Sequence, residues 1–303
     1  MTQAAGAGSD SKASKVPAKD EPPASADEGE AEDGPMTFWE HLDELRKRLI
    51  WSIVTFFVAC LIGWEFHEQI LASLVKPFAN SWVSEGIPGT PSLHFASPAA
   101  AFTGYVKLSM IGGAALSCPV IFYQLWSFVA PGLYAREKRY VIPFVLSSTL
   151  LFVGGGYFGW RTAFPITFNY FLGMSGSVGS QNINLVPTVM MNEYIDFVGQ
   201  MLLGFGLIFE LPLLLLFLSI AGVVNYLQLI RFGRWFVLVA FVVAAIITPP
   251  EITSQLLMAV PMCLLYVISI GLAYVFGKKP TEEQREAHRN RKNKDKDKEK
   301  TPA

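Results

Sequence analysis

The 303-residue chain is 51% hydrophobic and only 16% charged, with a net charge of −1. That balance excludes an ordinary soluble domain, which carries more charge, and a near-neutral chain gives no reason to expect nucleic acid as a partner. The apolar residues gather in runs near 49–64, 106–130, 140–160, 196–224, 235–248 and 255–276. A membrane-spanning helix needs roughly 20 mostly apolar residues, so six spans are expected.

Residues 1–35 consist largely of Ala, Ser, Pro, Asp, Glu, Gly and Lys. They lack the branched and aromatic side chains of a core and read as a disordered tail. No apolar signal-peptide core precedes Met36. The membrane domain is expected over 36–277. It opens with Phe38, Leu42, Leu45 and Leu49, one face of an amphipathic helix that runs into span one. Glu44 and Arg48 stand four apart on that helix, the favourable order for an ion pair.

A long loop, 67–97, follows; the stretch 76–98, with four prolines and two glycines, suggests short interfacial helices and turns. Span two begins at Ser97-Pro98, with Pro98 suited to a helix start, and Pro119 is expected to bend it. Pro131-Gly132 marks a turn before span three. A second long loop is expected over 162–195. Span five, Trp235 to Thr248, would have 14 residues and rise about 21 Å, short of a bilayer core. Pro249 and Pro250 separate it from span six, and 278–303 reads as a second disordered tail.

Basic residues alternate between loops. Arg46, Lys47 and Arg48 precede span one; Arg136, Lys138 and Arg139 precede span three; Arg231 and Arg234 precede span five; Lys278 and Lys279 follow span six. The intervening loops are poor in Lys and Arg. Basic loops stay in the cytoplasm, so both termini are expected there.

Four positions are chemically costly or informative. Glu210 falls inside span four, with Pro212 two residues on freeing the Ile208 carbonyl. It reads either as a polar site facing a cavity or as a hydrogen-bonded packing carboxyl. Lys107 and Gln200 are also intramembrane candidates, although Lys107 can snorkel outward. Glu137, between Arg136 and Lys138, either complements a helix N-terminus or joins Glu44 in receiving a cation. Cys60, Cys118 and Cys263 lie in apolar segments without paired spacing. The four histidines show no metal-ligand spacing, and no catalytic motif is present, so neither metal, cofactor nor enzymatic activity is expected.

The stretches FWEHLDELRKRL, ALSCPVIFYQLWSFVAPGLYAREKRYVIP, GFGLIFELP and FVVAAIITPPEITSQLLMAVPM, in that order, resemble the TatC family, from Phe38 to Phe276. TatC is the multispanning subunit of the twin-arginine protein translocase. The resemblance implies an all-α integral membrane fold, six transmembrane helices in a concave, glove-like bundle, with both ends cytoplasmic in a bacterial inner membrane. It implies recognition of Arg-Arg signal peptides on folded cargo, single-span TatA- and TatB-type partners in an oligomeric complex, and export driven by the proton-motive force. By resemblance, signal-peptide binding falls on Glu44, Arg46, Arg48, Phe128 and Glu137. The intramembrane polar and partner site falls on Glu210, and a structural proline of the first outer loop on Pro77. Gln228 stands where many members have an aspartate, and Glu251 where an aspartate is common.

Arginine presents a fork of donors that matches a carboxylate, whereas lysine is a point charge. Glu44 and Glu137 together would therefore distinguish Arg-Arg from Lys-Lys. The competing readings are a secondary transporter of a small solute, supported by the intramembrane acid and broken helix, and a membrane scaffold. No inverted repeat supports the transporter.

Overall fold

The structure is a computed structural model and describes residues 38–129, 141–178, 183–248 and 251–279, with Glu282 and Glu286. The expectations for the 1–35 tail, for nearly all of the 278–303 tail, for Glu137 and for the Pro249-Pro250 turn lie outside the described residues.

The elements run α1 Phe38–Glu65, α2 His67–Ser84, β1 Leu93–His94, α3 Pro98–Val129, α4 Val141–Phe158, a π-helical turn Gly159–Ala163, α5 Phe164–Leu172, β2 Gly176–Val178, β3 Ile183–Leu185, β4 Val189–Met190, α6 Met191–Phe209, α7 Leu211–Ala221, α8 Tyr226–Ile247 and α9 Ile252–Phe276. Five helical segments are long and apolar enough to cross a membrane: α3, α4 through α5, α6 with α7, α8 and α9. The α1–α2 pair, bent by 78°, makes the sixth. The fold is therefore all-α, with six membrane-spanning segments.

Helix α1 packs along α3, and α6 along α4 and α3, while α8 and α9 form a hairpin. Close approach requires small residues. A Cβ at Gly63 would lie 2.7 Å from the Ser109 carbonyl, and one at Gly155 2.5 Å from the Phe205 carbonyl. These are helix contacts of the kind that small residues permit inside a bilayer. Most large side chains of α1, from Trp51 to Leu61, are exposed, as expected of a surface facing lipid.

Three boundaries differ from the sequence reading. Helix α8 begins at Tyr226, not Trp235, because Asn225 and Gln228 form a reciprocal capping box there. Its 22 residues rise about 33 Å, so the fifth span is long enough to cross without bilayer thinning. The third span does not stop at Trp160: the π turn carries it through Arg161 into α5, so the second loop starts only after Leu172. Pro77 lies inside α2, buried, and not in a loop.

Pro77 has no N–H, so the Ser73 carbonyl loses its helical donor. The indole N–H of Trp160 donates to that carbonyl at 3.0 Å, and the Tyr194 hydroxyl donates to the next one, Leu74, at 2.8 Å. Beneath them Phe78, Phe168 and Tyr194 meet with ring centroids 5.6 to 5.7 Å apart. The two loops at this end join through β1 and β4, which pair in parallel as Leu93 with Val189 and His94 with Met190.

Candidate functional site

The first site forms where the start of α1 meets the end of α3. His41, Glu44 and Arg48 follow one another at spacings of three and four, which puts them on one helix face. That face meets Gln124 and Phe128 of α3. The His41 and Phe128 rings stack with centroids 4.3 Å apart and planes 16° from parallel. Arg48 Nη1 donates to Gln124 Oε1 at 3.3 Å.

Arg48 also donates twice to Glu44 Oε1, from Nε at 2.9 Å and Nη2 at 2.5 Å. The i,i+4 pair expected from the sequence is thus formed. Both donors fall on the same oxygen. Glu44 Oε2 is buried and has no hydrogen-bond partner among the described residues. A buried polar atom normally has one, so this carboxylate retains the capacity to accept from a further donor. Both side chains are three-quarters or more covered, 25% exposed for Arg48 and 21% for Glu44, where a charge interaction is stronger than in open water.

The structure thus brings together Glu44, Arg48 and Phe128. Arg46 is exposed, on a different face of α1, and does not join them. His41 and Gln124 were not singled out from the sequence. Gln124 stands one turn before Phe128 on the same helix, and that spacing was the available signal.

The second site is the break between α6 and α7. Glu210 is the last residue before α7, its N–H bonded to the Leu207 carbonyl at 3.1 Å, with Pro212 in the first turn that follows. The buried Ser148 hydroxyl of α4 lies against its carboxyl, and Ser148 Oγ accepts the Trp126 indole N–H at 2.7 Å. Glu210 Oε1 is buried and has no partner among the described residues. Cys118, Phe122, Trp126 and Leu213 form a buried cluster in the same part of the bundle, with Phe144, Phe152 and Phe217 packed on it. The arrangement is a carboxyl only partly served by the protein in an otherwise apolar setting, able to take one donor from outside.

The remaining polar positions are accounted for locally. Lys107 meets Asp196 of α6 at 2.7 Å, and one turn away Asn192 donates to Thr103 at 3.2 Å. Gln200 is exposed and enters neither site. Gln228 caps α8, and Glu251 caps α9 by accepting from the Ser254 N–H at 3.1 Å. Among the described residues, no three His, Cys, Asp or Glu side chains gather to ligate a metal.

Residues 40–261 match the family profile described as "Sec-independent protein translocase protein (TatC)". A protein of that name from Koribacter versatilis is 38% identical over 253 residues, covering 83% of this chain and 90% of the relative. Another from Desulforapulum autotrophicum is 41% identical over 253 residues, covering 84% and 90%. A crystal structure titled "Twin Arginine Translocase Receptor- TatC" superposes with a TM-score of 0.68 at 37% identity, over 78% of this chain and 99% of that one. None of these supports the solute-transporter reading.

Proposed function

Because this chain belongs to the TatC family, we propose that it is the signal-peptide receptor and core subunit of a twin-arginine protein translocase. In this reading it lies in the bacterial inner membrane with both termini cytoplasmic. It receives Arg-Arg signal peptides of folded cargo, assembles with single-span TatA- and TatB-type subunits, and works on the proton-motive force. This reading assigns it a receptor and translocation role and no catalytic one. The alternation of basic loops supports the orientation.

The observation that carries the receptor assignment is the state of Glu44. One carboxylate oxygen is held by Arg48, and the other is buried without a partner among the described residues. A guanidinium arriving from a signal peptide finds an acceptor already positioned by α1 and α3. Arg48 fixes the side chain, and Phe128 with His41 forms the adjoining apolar wall. Glu137, in the segment between α3 and α4, supplies the second carboxylate for the second arginine. Arg46 lies on the exposed side of α1, where it serves the orientation of the helix at the inner leaflet more directly than ligand contact.

Glu210 is the second station. The hydrophobic part of a signal peptide, or the membrane helix of a partner subunit, would present a polar group to its free oxygen. Pro77 acts through structure, by making α2 dock on Trp160 and Tyr194.

The test is site-specific photocrosslinking of a twin-arginine signal peptide in native membranes, beside a Lys-Lys control. Crosslinks at the α1–α3 site that disappear with Lys-Lys support the assignment. Equal crosslinks with both peptides would refute it.

A further inference from the structure

At the end of the bundle opposite Glu44, a cleft of about 470 Å³ opens between α2 and the π turn. Its lining includes Lys76, Asn80 and Ser84 of α2, Arg161 of the π turn and Asn169 of α5. Pro77, Trp160 and Pro165 form its apolar part. We propose that this cleft binds the phosphodiester of an anionic phospholipid, with Lys76 and Arg161 as the charged ligands and the amides of Asn80 and Asn169 as neutral donors.

Charge is the first argument. No carboxylate lines the cleft, and neither cation belongs to an ion pair among the described residues, where the pairs are Arg48–Glu44 and Lys107–Asp196. Two cations thus face one cavity from two different elements without a counter-ion. Phosphate oxygens accept several charge-assisted hydrogen bonds at once, and a guanidinium suits them well. Ser84 Oγ donates chiefly to the Ser81 carbonyl at 3.0 Å and lies 3.4 Å from Asn169 Oδ1, which leaves the Asn169 NH₂ group to other acceptors.

Depth is the second. Helix α4 has 18 residues and rises about 27 Å from its start before the π turn begins, close to the thickness of a hydrocarbon core. Arg161 therefore sits at headgroup level. Tyr157, which stands with Trp160 at 5.9 Å between ring centroids, lies within one turn of Arg161 and suits the same level, as interfacial aromatics do. The apolar part of the lining suits a glycerol backbone and the first methylenes. A free inorganic anion would use only the cationic rim.

The experiment uses the full chain purified in detergent and native mass spectrometry with phosphatidylglycerol or phosphatidylcholine added. The wild type is expected to retain one phosphatidylglycerol preferentially. The double variant Lys76→Gln/Arg161→Gln should lose that preference by about tenfold, while Arg231→Gln/Arg234→Gln at the other end should keep it. The charge-conserving Lys76→Arg/Arg161→Lys variant should also keep it. Unchanged retention in the Gln variant, or loss in the Arg231/Arg234 variant alone, overturns the proposal. Displacement of the lipid by millimolar inorganic phosphate would show a free-anion site and overturn the lipid assignment. Should the Gln variant fail to fold, a photoactivatable phosphatidylglycerol decides the matter on wild-type protein: label within 67–84 and 159–172 supports the site, and label elsewhere overturns it.

Discussion

The indole N–H of Trp160 donates to the Ser73 carbonyl, which is the carbonyl that Pro77 leaves without its own helical donor. A defect in α2 is thus the attachment point for the end of the third span. The two residues should be thermodynamically coupled. Trp160→Phe removes the donor and is expected to cost about 0.5–1.5 kcal/mol. In a Pro77→Ala background the helix supplies its own N–H to Ser73, and the same change should cost less. A double-mutant cycle on melting in detergent measures the difference, and additive effects would contradict the coupling.

Glu44→Gln should separate stability from recognition. The Gln side-chain oxygen can still accept from Arg48, so the stability loss should stay near that of one hydrogen bond, about 1 kcal/mol, and the melting temperature should move little. Crosslinking of an Arg-Arg signal should nevertheless fall about tenfold, the order of one charge-assisted hydrogen bond. Glu137→Gln should behave likewise, and the double variant should treat Arg-Arg and Lys-Lys peptides alike. Normal crosslinking by the double variant would remove both residues from the site.

At Glu210 the expected pattern is reversed. Glu210→Ala deletes the partly served carboxyl and should abolish export and partner crosslinking, while Arg-Arg binding at α1 and α3 persists. Glu210→Gln keeps a hydrogen-bonding group beside Ser148 and should retain more activity than Ala. Loss of signal binding with intact partner crosslinking would assign Glu210 to the wrong step.

The glycines of α4 offer a packing test with an internal control. A Cβ at Gly155 would fall 2.5 Å from the Phe205 carbonyl and 2.9 Å from Phe209, whereas Gly154 meets nothing within 4 Å. Gly155→Ala should therefore push α4 from α6 and cost about 1–3 kcal/mol, and Gly154→Ala should be neutral or slightly stabilising. Thermal melting of the two variants side by side checks this.

Much of this was legible in one dimension. Glu44 and Arg48 read as a pair because helix geometry makes residues four apart neighbours. Pro98 marked the start of α3, and the Ser97 hydroxyl accepts from the Ala100 N–H at 3.1 Å, a cap of the kind that side chain favours. What failed were boundaries governed by partners distant in sequence. A helix was expected in 67–97, but its run of 18 residues through Pro77 was not legible, because Trp160 and Tyr194 satisfy the carbonyls around the proline. Arg231 and Arg234 were counted as loop because they are charged, yet the Asn225–Gln228 cap starts the helix before them. His41 gave no signal by itself, since its stacking partner Phe128 lies two helices further along the chain. Lys107 was readable as costly, but its counter-charge Asp196 lay in a stretch assigned to the edge of another span.

Helix α1 approaches α3 very closely at Gly63 and Gly113, while nearer its start it meets α3 through side chains, His41 on Phe128 and Arg48 on Gln124. A Cβ at Gly63 would meet the Ser109 carbonyl at 2.7 Å, and one at Gly113 would meet Cys60 Sγ at 2.6 Å. The Glu44 pocket is near the other end. From Gly63 to His41 the helix measures about 33 Å, so a tilt of about 10° around that fulcrum displaces the His41 end by about 6 Å. The first helix is geometrically a lever: a tug on α2 beyond Glu65, or a load placed on its His41 end, would be converted into a change in the width of the receptor mouth. Tightening or loosening the fulcrum, without touching a charged residue, should therefore set how widely that mouth opens.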